Sequence, residues 1–313
     1  MPVRPSHPIV TVLTLLLTAC GDSPDPDGAA VSAPTPRDAA PTSNLFLWPE
    51  LAPGETSESI GEFQPGKPGE NPPITRIVNI KRPSLDVFLP KYPRGPAVLV
   101  IPGCGFAKVV TDKEGSEAAV WLNSLGIAGF VLRHRTSENK PADEPLWHRP
   151  LQDAERAMRL IRSNAARWGL DENRVGVLGF SAGGQIASVL MTQGNEARYP
   201  NIDQADAKPY RPDFALLIYP WRTLDAAGDA LLPEIRIGPA TPPTFIVHTH
   251  DDASSAVGSA LIYAGLKKHG VPAELHIYQN GGHGYGMRPV EGSDIGTWPD
   301  RATDWLRNRD LAN

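Results

Sequence analysis

A serine stands in a glycine-flanked turn near the middle of the chain. The segment from Gly179 to Gly184, GFSAGG, follows an apolar run that ends at Leu178 and precedes residues 185–191, whose pattern predicts a helix. A tight strand-to-helix turn holds its central residue in strained backbone angles and requires small residues around it. The hydroxyl then lies at a helix N-terminus, where backbone N–H groups favour a developing negative charge. The pattern therefore predicts a nucleophile at Ser181.

Two later strand ends carry carboxylates and a histidine. A predicted strand over residues 245–247 is followed by Asp251 and Asp252, and one over residues 274–278 is followed by a glycine-rich loop that contains His283. A serine hydroxyl is a poor nucleophile until an imidazole takes its proton. The imidazole in turn needs a carboxylate that fixes its tautomer and stabilises its charged form. The order serine, acid, histidine predicts a catalytic triad in which the choice between the two aspartates is open.

The remaining histidines and acids are weaker candidates. His276 lies inside a predicted strand, where a packed or half-exposed side chain is expected, and no histidine other than His283 follows the last predicted strand. We expect three further histidines at the surface: His134, His148 and His269. Two acids that follow an earlier strand are distant alternatives for the triad: Asp225 and Asp229.

The negative oxygen of a tetrahedral intermediate needs backbone donors. Ala182 directly follows the serine and supplies one N–H. A second N–H is expected from the loop after the apolar run 97–101, where Gly103 and Cys104 are the candidate donors. Glycine lets a backbone approach such an intermediate closely. Cys104 could also be interpreted as a reactive thiol, but its surroundings in sequence suit Ser181 better, and we treat it as a small loop residue.

One stretch resembles a metal site. Residues 248–252 match the His-x-His-x-Asp opening of dinuclear zinc hydrolases. Those sites need a further histidine directly after the aspartate and more ligands downstream, and Ala253 occupies that position. We therefore expect no metal and no cofactor.

These candidates require a framework of strands that alternate with helices. Residues 97–101 are a continuous apolar run, which is typical of a strand buried on both faces, and further buried strands are predicted at residues 129–132, 175–178, 214–219, 245–247 and 274–278. Helical patterns cover residues 117–125, 151–168, 185–191, 257–269 and 301–307. Residues 74–80 and 85–89 alternate in polarity and predict an opening antiparallel pair. The order predicts an α/β fold, a mostly parallel sheet with helices on both faces, in one catalytic domain over residues 44–313.

The predicted helix that opens near Pro150 is strongly amphipathic. Its apolar stripe begins at Leu151 and recurs at three- and four-residue spacing, which predicts core packing. Arg156, Arg159 and Arg162 fall mostly elsewhere on this helix.

The amino terminus is predicted to be a targeting signal. Arg4 supplies a short basic region, and residues 9–19 are apolar but too short to span a bilayer. The run ends at Cys20 in the sequence LTAC, which resembles the bacterial lipoprotein signal. We expect residues 1–19 to be cleaved, Cys20 to carry lipid, and residues 20–43 to form a disordered Pro/Ala/Asp-rich tether. An ordinary secretory peptide is the alternative.

Such a signal predicts a lipid-anchored protein of the bacterial cell envelope, at the outer membrane. The net charge of −5 over 313 residues gives no reason to expect nucleic-acid binding. Cys104 is the only cysteine besides Cys20, so no disulfide is expected after lipidation. Residues 44–73 are rich in proline and glycine but contain several bulky apolar side chains, and we expect an extended segment that lies on the domain.

Four motifs together resemble the α/β-hydrolase esterases of the acetylxylan esterase and feruloyl esterase-like type. They are PGCGF at residues 102–106, WGLD at 168–171, GFSAGG at 179–184 and GGHGYG at 281–286, and the resemblance covers residues 74–310. It implies a serine esterase that hydrolyses short-chain carboxylic esters through an acyl-enzyme, without a cofactor. Acetyl groups on plant polysaccharide are the implied substrate.

The resemblance also bears on the triad acid and on the oxyanion loop. Hydrolases of this group often have a His-x-x-x-Asp stretch here, and counting from His248 selects Asp252 over Asp251. Cys104 and Phe106 depart from the usual Pro-Gly-Gly-Gly-Tyr loop, which leaves the backbone donors in place but alters the expected acyl pocket.

Two other functions are compatible with the motifs. A prolyl-oligopeptidase-like peptidase shares the serine turn and the triad order, although we expect no propeller-sized region before this domain. A catalytically inactive lipoprotein could bind carbohydrate in the same cleft. Loops at residues 141–149 and 195–211 are expected to select the alcohol part of an ester. Four aromatic residues could stack against sugar or form local core: Trp147, Tyr199, Tyr210 and Trp221.

Overall fold

Strands and helices alternate along the chain. The computed structural model describes residues 40–93, 95–138, 140–194 and 198–312. The strands are β1 Ser43–Phe46, β2 Ile60–Gln64, β3 Arg76–Ile80, β4 Ser84–Phe88, β5 Ala97–Ile101, β6 Val109–Val110, β7 Ala128–Arg133, β8 Val175–Phe180, β9 Ala215–Ile218, β10 Thr244–Thr249 and β11 Ala273–Tyr278. The helices are α1 Glu117–Ser124, α2 His148–Asn164, α3 Ala182–Thr192, α4 Val257–Lys268 and α5 Trp298–Arg307.

Eight of these strands form one large sheet in the order β1-β4-β7-β5-β8-β9-β10-β11. From β7 to β11 every neighbouring pair is parallel, whereas β1 and β4 add antiparallel pairings at one side. The predicted α/β fold with a mostly parallel sheet is confirmed. Because β5, β8, β9, β10 and β11 are neighbours and run in the same direction, their carboxyl ends lie along one edge of the sheet, where open α/β sheets bind ligands.

Helices cover both faces of the large sheet. Alternate residues of β5 point to opposite sides, so that Leu99 packs into a core with α2, α3 and α4, and Val100 packs into a second core with α1 and α5. All five residues of β5 are buried. The continuous apolar runs of the sequence therefore correspond to strands covered from both sides, as expected of parallel sheets.

The predicted opening antiparallel pair is wrong. After β3, the amides of Lys81 and Arg82 both donate to the carbonyl of Ser59, each over 2.8 Å, and the next residue, Pro83, has no N–H. The chain therefore has no amides with which to start a ladder between β3 and β4. Instead β3 pairs with β2 and β6 in a separate three-stranded antiparallel sheet, and β4 joins the large sheet.

The last strand is less buried than predicted. We expected β11 to be a buried strand, but its side chains are mostly half-buried and Ile277 is 44% exposed. The reason is its place in the sheet, because β11 is an edge strand with β10 as its neighbour on one side. Nε2 of His276 lies 2.7 Å from Oε1 of Glu274 on this strand, and a charged side chain such as Glu274 is a common protection of a strand edge.

The arginines of α2 are buried, although the sequence places them away from the apolar stripe. Arg156 contacts Asp203 and Asp206, while Arg162 contacts Asp213 at 2.9 Å. The chain between residues 198 and 213 covers this face of α2 and supplies the carboxylates. The helix therefore has an apolar face against the sheet and a second buried face made of ion pairs.

Residues 44–73, expected to form an extended segment on the domain, instead supply two strands, β1 and β2, and part of the core. Strand β1 begins at Ser43, and the residues that follow it, Leu47 and Trp48, are buried. The proposed signal peptide, Cys20 and the tether up to residue 39 lie outside the described residues. Among the described helices, none has the length and apolar character needed to cross a bilayer.

Candidate active site

The turn around Ser181 depends on glycine. Ser181 lies between β8 and α3 with φ 53° and ψ −118°, a left-handed conformation that side chains rarely adopt. A Cβ atom at Gly183 would lie 2.0 Å from the carbonyl oxygen of Ile101, and one at Gly179 would lie 2.4 Å from the carbonyl oxygen of Gly183. Glycine at both positions therefore lets α3 approach β5 and β8 closely enough to close the turn.

Ser181, His283 and Asp252 are connected by hydrogen bonds in series. The Oγ of Ser181 is 2.7 Å from Nε2 of His283, and Nδ1 of His283 is 2.6 Å from Oδ2 of Asp252. An ionised carboxylate only accepts hydrogen bonds, so Nδ1 carries the proton and Nε2 is free to accept the serine proton. Ser181 is 6% exposed and Asp252 is buried, while the His283 ring stays partly open to solvent. This arrangement can generate a serine nucleophile.

Asp252 is held by more groups than His283 alone. The backbone N–H of Ser254 donates to Oδ1 at 2.7 Å, and the buried ring of His248 approaches Oδ2 at 3.0 Å through Nε2. Burial raises the pKa of the Asp252 carboxyl, but the hydrogen bonds from His248, His283 and Ser254 outweigh burial and bring the pKa below its ordinary value. The carboxylate is therefore ionised throughout the neutral range.

Asp251 has a different position. Its two carboxylate oxygens accept the backbone N–H groups of Gly281 at 3.2 Å and Gly282 at 2.9 Å. These bonds, first of all that from Gly282, lower the pKa of Asp251. The side chain is exposed and fastens the loop that carries His283, without contact to the imidazole. The sequence left open which of the two adjacent aspartates contacts the imidazole, and in the structure they face different groups.

The other histidines lie away from Ser181. His276 is half-buried, as expected, and His269 is exposed. The expected surface position of His134 is wrong, because this side chain is fully buried. Its Nδ1 is 2.9 Å from the carbonyl oxygen of Arg135 and its Nε2 is 3.3 Å from that of Pro102, and burial lowers its pKa. His148 is partly buried against Gln152.

One of the three candidate oxyanion donors is already engaged. The backbone N–H of Gly103 donates to Oε2 of the buried Glu114 at 2.8 Å, so it is not free for a substrate oxygen. Ala182 begins α3, and its N–H therefore has no carbonyl partner within the helix. The N–H of Cys104 makes no hydrogen bond to the described part of the chain. Ala182 and Cys104 remain as candidate donors, and the expectation for Gly103 is corrected.

Three side chains at the site were not predicted from the sequence. Glu114 and Tyr219 are buried and hydrogen-bonded to each other, and His248 contacts the triad acid. His248 and Tyr219 each lie at the end of a predicted strand, which was an available signal. Glu114 lies in a charged stretch, DKEGS, where a solvent-exposed side chain is the ordinary expectation.

A cleft of about 270 Å³ opens beside His283. The segment before β3 and the loop after β11 form its walls, which include Glu70, Ile74, Lys113, Tyr285 and Arg288. Trp221 flanks Ser181 on another side, since its backbone N–H donates to the carbonyl oxygen of Ser181 at 2.9 Å and its ring lies 6.2 Å from that of Phe106. Tyr199 and Tyr210, in contrast, are buried against Arg159 of α2 and belong to the core.

The residues that resemble a zinc motif do not converge. His248 faces Asp252, whereas His250 is exposed on the turn after β10. Within the described ranges, no group of three or more His, Cys, Asp or Glu side chains is arranged to hold a metal ion.

Known proteins resemble this chain in sequence and in structure. The sequence model of the BD-FAE family matches residues 85–216. An acetylxylan esterase of Xylanibacter ruminicola is 30% identical over 237 residues, which cover 67% of this chain and 44% of that protein. Endo-1,4-β-xylanase B of Butyrivibrio fibrisolvens is 31% identical over 206 residues, covering 60% of this chain and 32% of that protein. The chain thus spans less than half the length of these two curated relatives.

A solved structure extends the similarity over most of the domain. The acetyl ester-xyloside bifunctional hydrolase of Caldicellulosiruptor lactoaceticus superimposes with a TM-score of 0.67 and is 31% identical in sequence. The alignment covers 88% of this chain and 98% of that one.

Proposed function

Because the chain belongs to the α/β-hydrolase esterases, we propose that it is a serine esterase that hydrolyses short-chain carboxylic esters. The hydrogen bonds from Ser181 through His283 to Asp252 carry this proposal. A buried carboxylate, an imidazole with a free Nε2 and a serine in a strained turn form the set of groups that acyl transfer requires.

In the proposed reaction, the Oγ of Ser181 attacks the ester carbonyl carbon while Nε2 of His283 takes the hydroxyl proton. Asp252 stabilises the imidazolium that forms. The oxyanion accepts hydrogen bonds from the N–H groups of Ala182 and Cys104. The intermediate then expels the alcohol, which takes the proton from His283, and leaves an acyl group on Ser181. Water, deprotonated by His283, attacks the acyl carbonyl. The bond between the acyl carbon and the Oγ of Ser181 then breaks, His283 returns the proton to Oγ, and the carboxylic acid is released.

Ser181→Ala tests this mechanism. We expect the variant to lose at least about 10³-fold in kcat on p-nitrophenyl acetate, because among the described residues no other hydroxyl is hydrogen-bonded to His283. Labelling of the wild type, but not of the variant, by a fluorophosphonate probe would report the nucleophile directly. A folded Ser181→Ala protein with full esterase activity would contradict the mechanism, and an unlabelled, inactive wild type would favour a binding protein.

We propose acetyl groups on plant polysaccharide as the substrate. The acetylxylan esterase and the acetyl ester-xyloside hydrolase among the similar proteins support this choice. Parallel rates on acetylated xylan, a feruloylated sugar, p-nitrophenyl esters of increasing length and an aminoacyl p-nitroanilide test it. Faster turnover of feruloyl or long-chain esters would contradict an acetyl preference, and faster turnover of the anilide would favour a peptidase.

We also propose that the protein is anchored in the bacterial cell envelope, at the outer membrane, by lipid on Cys20. The apolar residues 9–19 and the sequence LTAC before the polar tether support the proposal. Cys20→Ser should move the protein from the membrane fraction to the soluble fraction and abolish incorporation of labelled palmitate. Membrane association that survives this change would contradict the anchor.

A further inference from the structure

A buried carboxylate connects three segments of the candidate active site. Glu114 is 3% exposed and lies in the π-helical turn Asp112–Ser116 that precedes α1. Its Oε2 accepts the backbone N–H of Gly103 at 2.8 Å, and its Oε1 accepts the hydroxyl of Tyr219 at 2.9 Å. The same tyrosine oxygen accepts the backbone N–H of Gly286 at 2.9 Å. The loop after β5, the end of β9 and the loop that carries His283 therefore converge on Glu114.

The direction of each hydrogen bond is determined by its chemistry. The N–H groups of Gly103 and Gly286 can only donate. Burial, together with the nearby Glu114, raises the pKa of Tyr219 well above its ordinary value, so the tyrosine keeps its proton and donates it to Glu114. Glu114 thus faces two donors, which suits a carboxylate that accepts with both oxygens.

In space, Gly103 lies between the side chains of Glu114 and Ser181. A Cβ atom at Gly103 would lie 2.7 Å from the Cβ of Ser181 and 3.1 Å from Oε2 of Glu114. On the other side of the network, the ring of Tyr219 lies edge-to-face against that of His283, with centroids 5.0 Å apart. A shift at Glu114 would therefore be transmitted to the neighbours of both the serine and the histidine.

Stability alone does not account for this carboxylate. Burial raises the pKa of Glu114 above its ordinary value despite the nearby charge of Lys113, which means that its ionised form is unfavourable in the fold. The two donated hydrogen bonds offset part of this cost. An acidic side chain at this position is more readily explained by the two groups that it binds, the N–H of Gly103 and the hydroxyl of Tyr219.

We propose that Glu114 is a positioning residue that fixes the oxyanion loop against Ser181. By accepting the N–H of Gly103, Glu114 fixes the Pro102–Gly103 peptide, which adjoins the peptide that carries the N–H of Cys104, and through Tyr219 it couples this loop to the loop of His283. The inference rests on the proposed esterase function. Glu114 does not touch the substrate in this proposal, and its effect is on the geometry of the donor that does.

Glu114→Ala and Glu114→Gln test the inference. Alanine leaves the N–H of Gly103 and the hydroxyl of Tyr219 without an acceptor, and we expect kcat on p-nitrophenyl acetate to fall about 100-fold, with KM within threefold. Glutamine keeps one acceptor but turns an NH₂ group toward a second donor, so we expect it to restore only part of the activity, to about a tenth of the wild-type kcat.

An oxyanion analogue provides a readout that general destabilisation would not move. An alkyl trifluoromethyl ketone adds to serine and places a negative oxygen in the oxyanion site, and its Ki should rise by the same factor as kcat/KM falls. Glu155→Gln is the matched control, because Glu155 is a buried carboxylate on α2 outside the site, and its kcat should stay within twofold of the wild type.

Two outcomes would overturn the positioning role. One is a kcat/KM within twofold of the wild type in the folded Glu114 variants. The other is a fall in kcat/KM without a matching rise in Ki. If the alanine variant does not fold, the glutamine variant alone decides between these results. A wild type without activity that depends on Ser181 would instead contradict the proposed function itself, so the two failures are distinct.

Discussion

Asp252 is a carboxylate with an unusually complete set of donors. Two imidazoles and one backbone N–H surround it, and their hydrogen bonds hold its pKa below the ordinary value despite burial. Its neighbour Asp251 fastens the backbone of the His283 loop from the exposed side. Substituting each of the two adjacent residues therefore compares a carboxylate that binds the imidazole with one that binds the backbone of the His283 loop.

We predict that Asp252→Asn lowers kcat on p-nitrophenyl acetate by about 10³–10⁴-fold, because an amide can present a donor to His283 and favour the wrong tautomer. Asp251→Asn should cost less than about tenfold, since its amide oxygen still accepts one backbone N–H. Steady-state rates of the two variants, with circular dichroism as a check on folding, test the contrast. Equal losses would contradict the assignment.

The sequence predicted those site residues that have a chemically suitable side chain and also lie at the end of a predicted strand. Ser181, Asp252 and His283 each follow a predicted strand, and adjacent parallel strands bring such positions together, so their convergence was predictable. Glu114 was not, because its partners Gly103 and Tyr219 are 11 and 105 residues away and nothing in the charged stretch around it indicates burial. For the same reason, the sequence did not predict that the N–H of Gly103 is already bound by Glu114.

At the scale of elements, α2 differs from an ordinary amphipathic surface helix. One face packs on the sheet, and the opposite face is buried under residues 198–213 through charged contacts. Glu155 illustrates the cost of this arrangement. Burial raises its pKa to about 7 although Arg198 lies beside it, and its Oε2 has no hydrogen-bond partner in the described structure.

We predict that Glu155 makes the free energy of unfolding depend on pH. Because its folded pKa is raised, its contribution is fully present below the ordinary glutamate value of about 4.3 and is lost as pH rises through about 7. Relative to Glu155→Gln, the wild type should lose up to about 3 kcal/mol over this window. Urea unfolding of both proteins from pH 5 to pH 8 measures the difference. A difference that is constant or grows with pH would contradict the prediction.

Strands were predicted correctly where helices cover both faces of the sheet, because such strands are apolar along their length. The apolar runs of β5, β7, β8, β9 and β10 were found because two helical layers cover them. The strands β3 and β4 were wrongly paired, since their separation depends on the distant acceptor Ser59, which the alternating pattern does not reveal. The exposure of β11 follows from its place at the sheet edge, which hydrophobicity alone does not encode.

At the scale of the molecule, the segment before β2 is part of the domain's core. Trp48 is 1% exposed, its Nε1 donates to Oδ1 of Asp153 on α2 at 3.0 Å, and its ring meets that of Tyr199 at 4.8 Å. The carbonyl of Leu47 accepts a hydrogen bond from Arg156 at 3.0 Å. Contacts from three regions of the sequence therefore meet at one indole.

We predict that Trp48→Ala lowers the free energy of unfolding by about 3–5 kcal/mol, through the cavity that it leaves and the loss of the indole hydrogen bond to Asp153, which keeps its contacts with Arg135. Since Trp48 lies outside the candidate site, the folded fraction should keep its KM. Exposed Phe63 provides the control, because Phe63→Ala should change stability by less than about 1 kcal/mol. Equilibrium urea unfolding compares the two, and similar losses would contradict the structural role of Trp48.

The strand order also governs how the protein is made. Translation delivers β5 and β8, with the serine turn, well before β10 and β11 supply Asp252 and His283. Until β9 emerges, β8 has an open edge in the middle of the future sheet, a feature that promotes association between nascent chains. The last third of the polypeptide therefore first covers the open edge of β8 with β9, and only afterwards supplies the acid and the histidine of the candidate site.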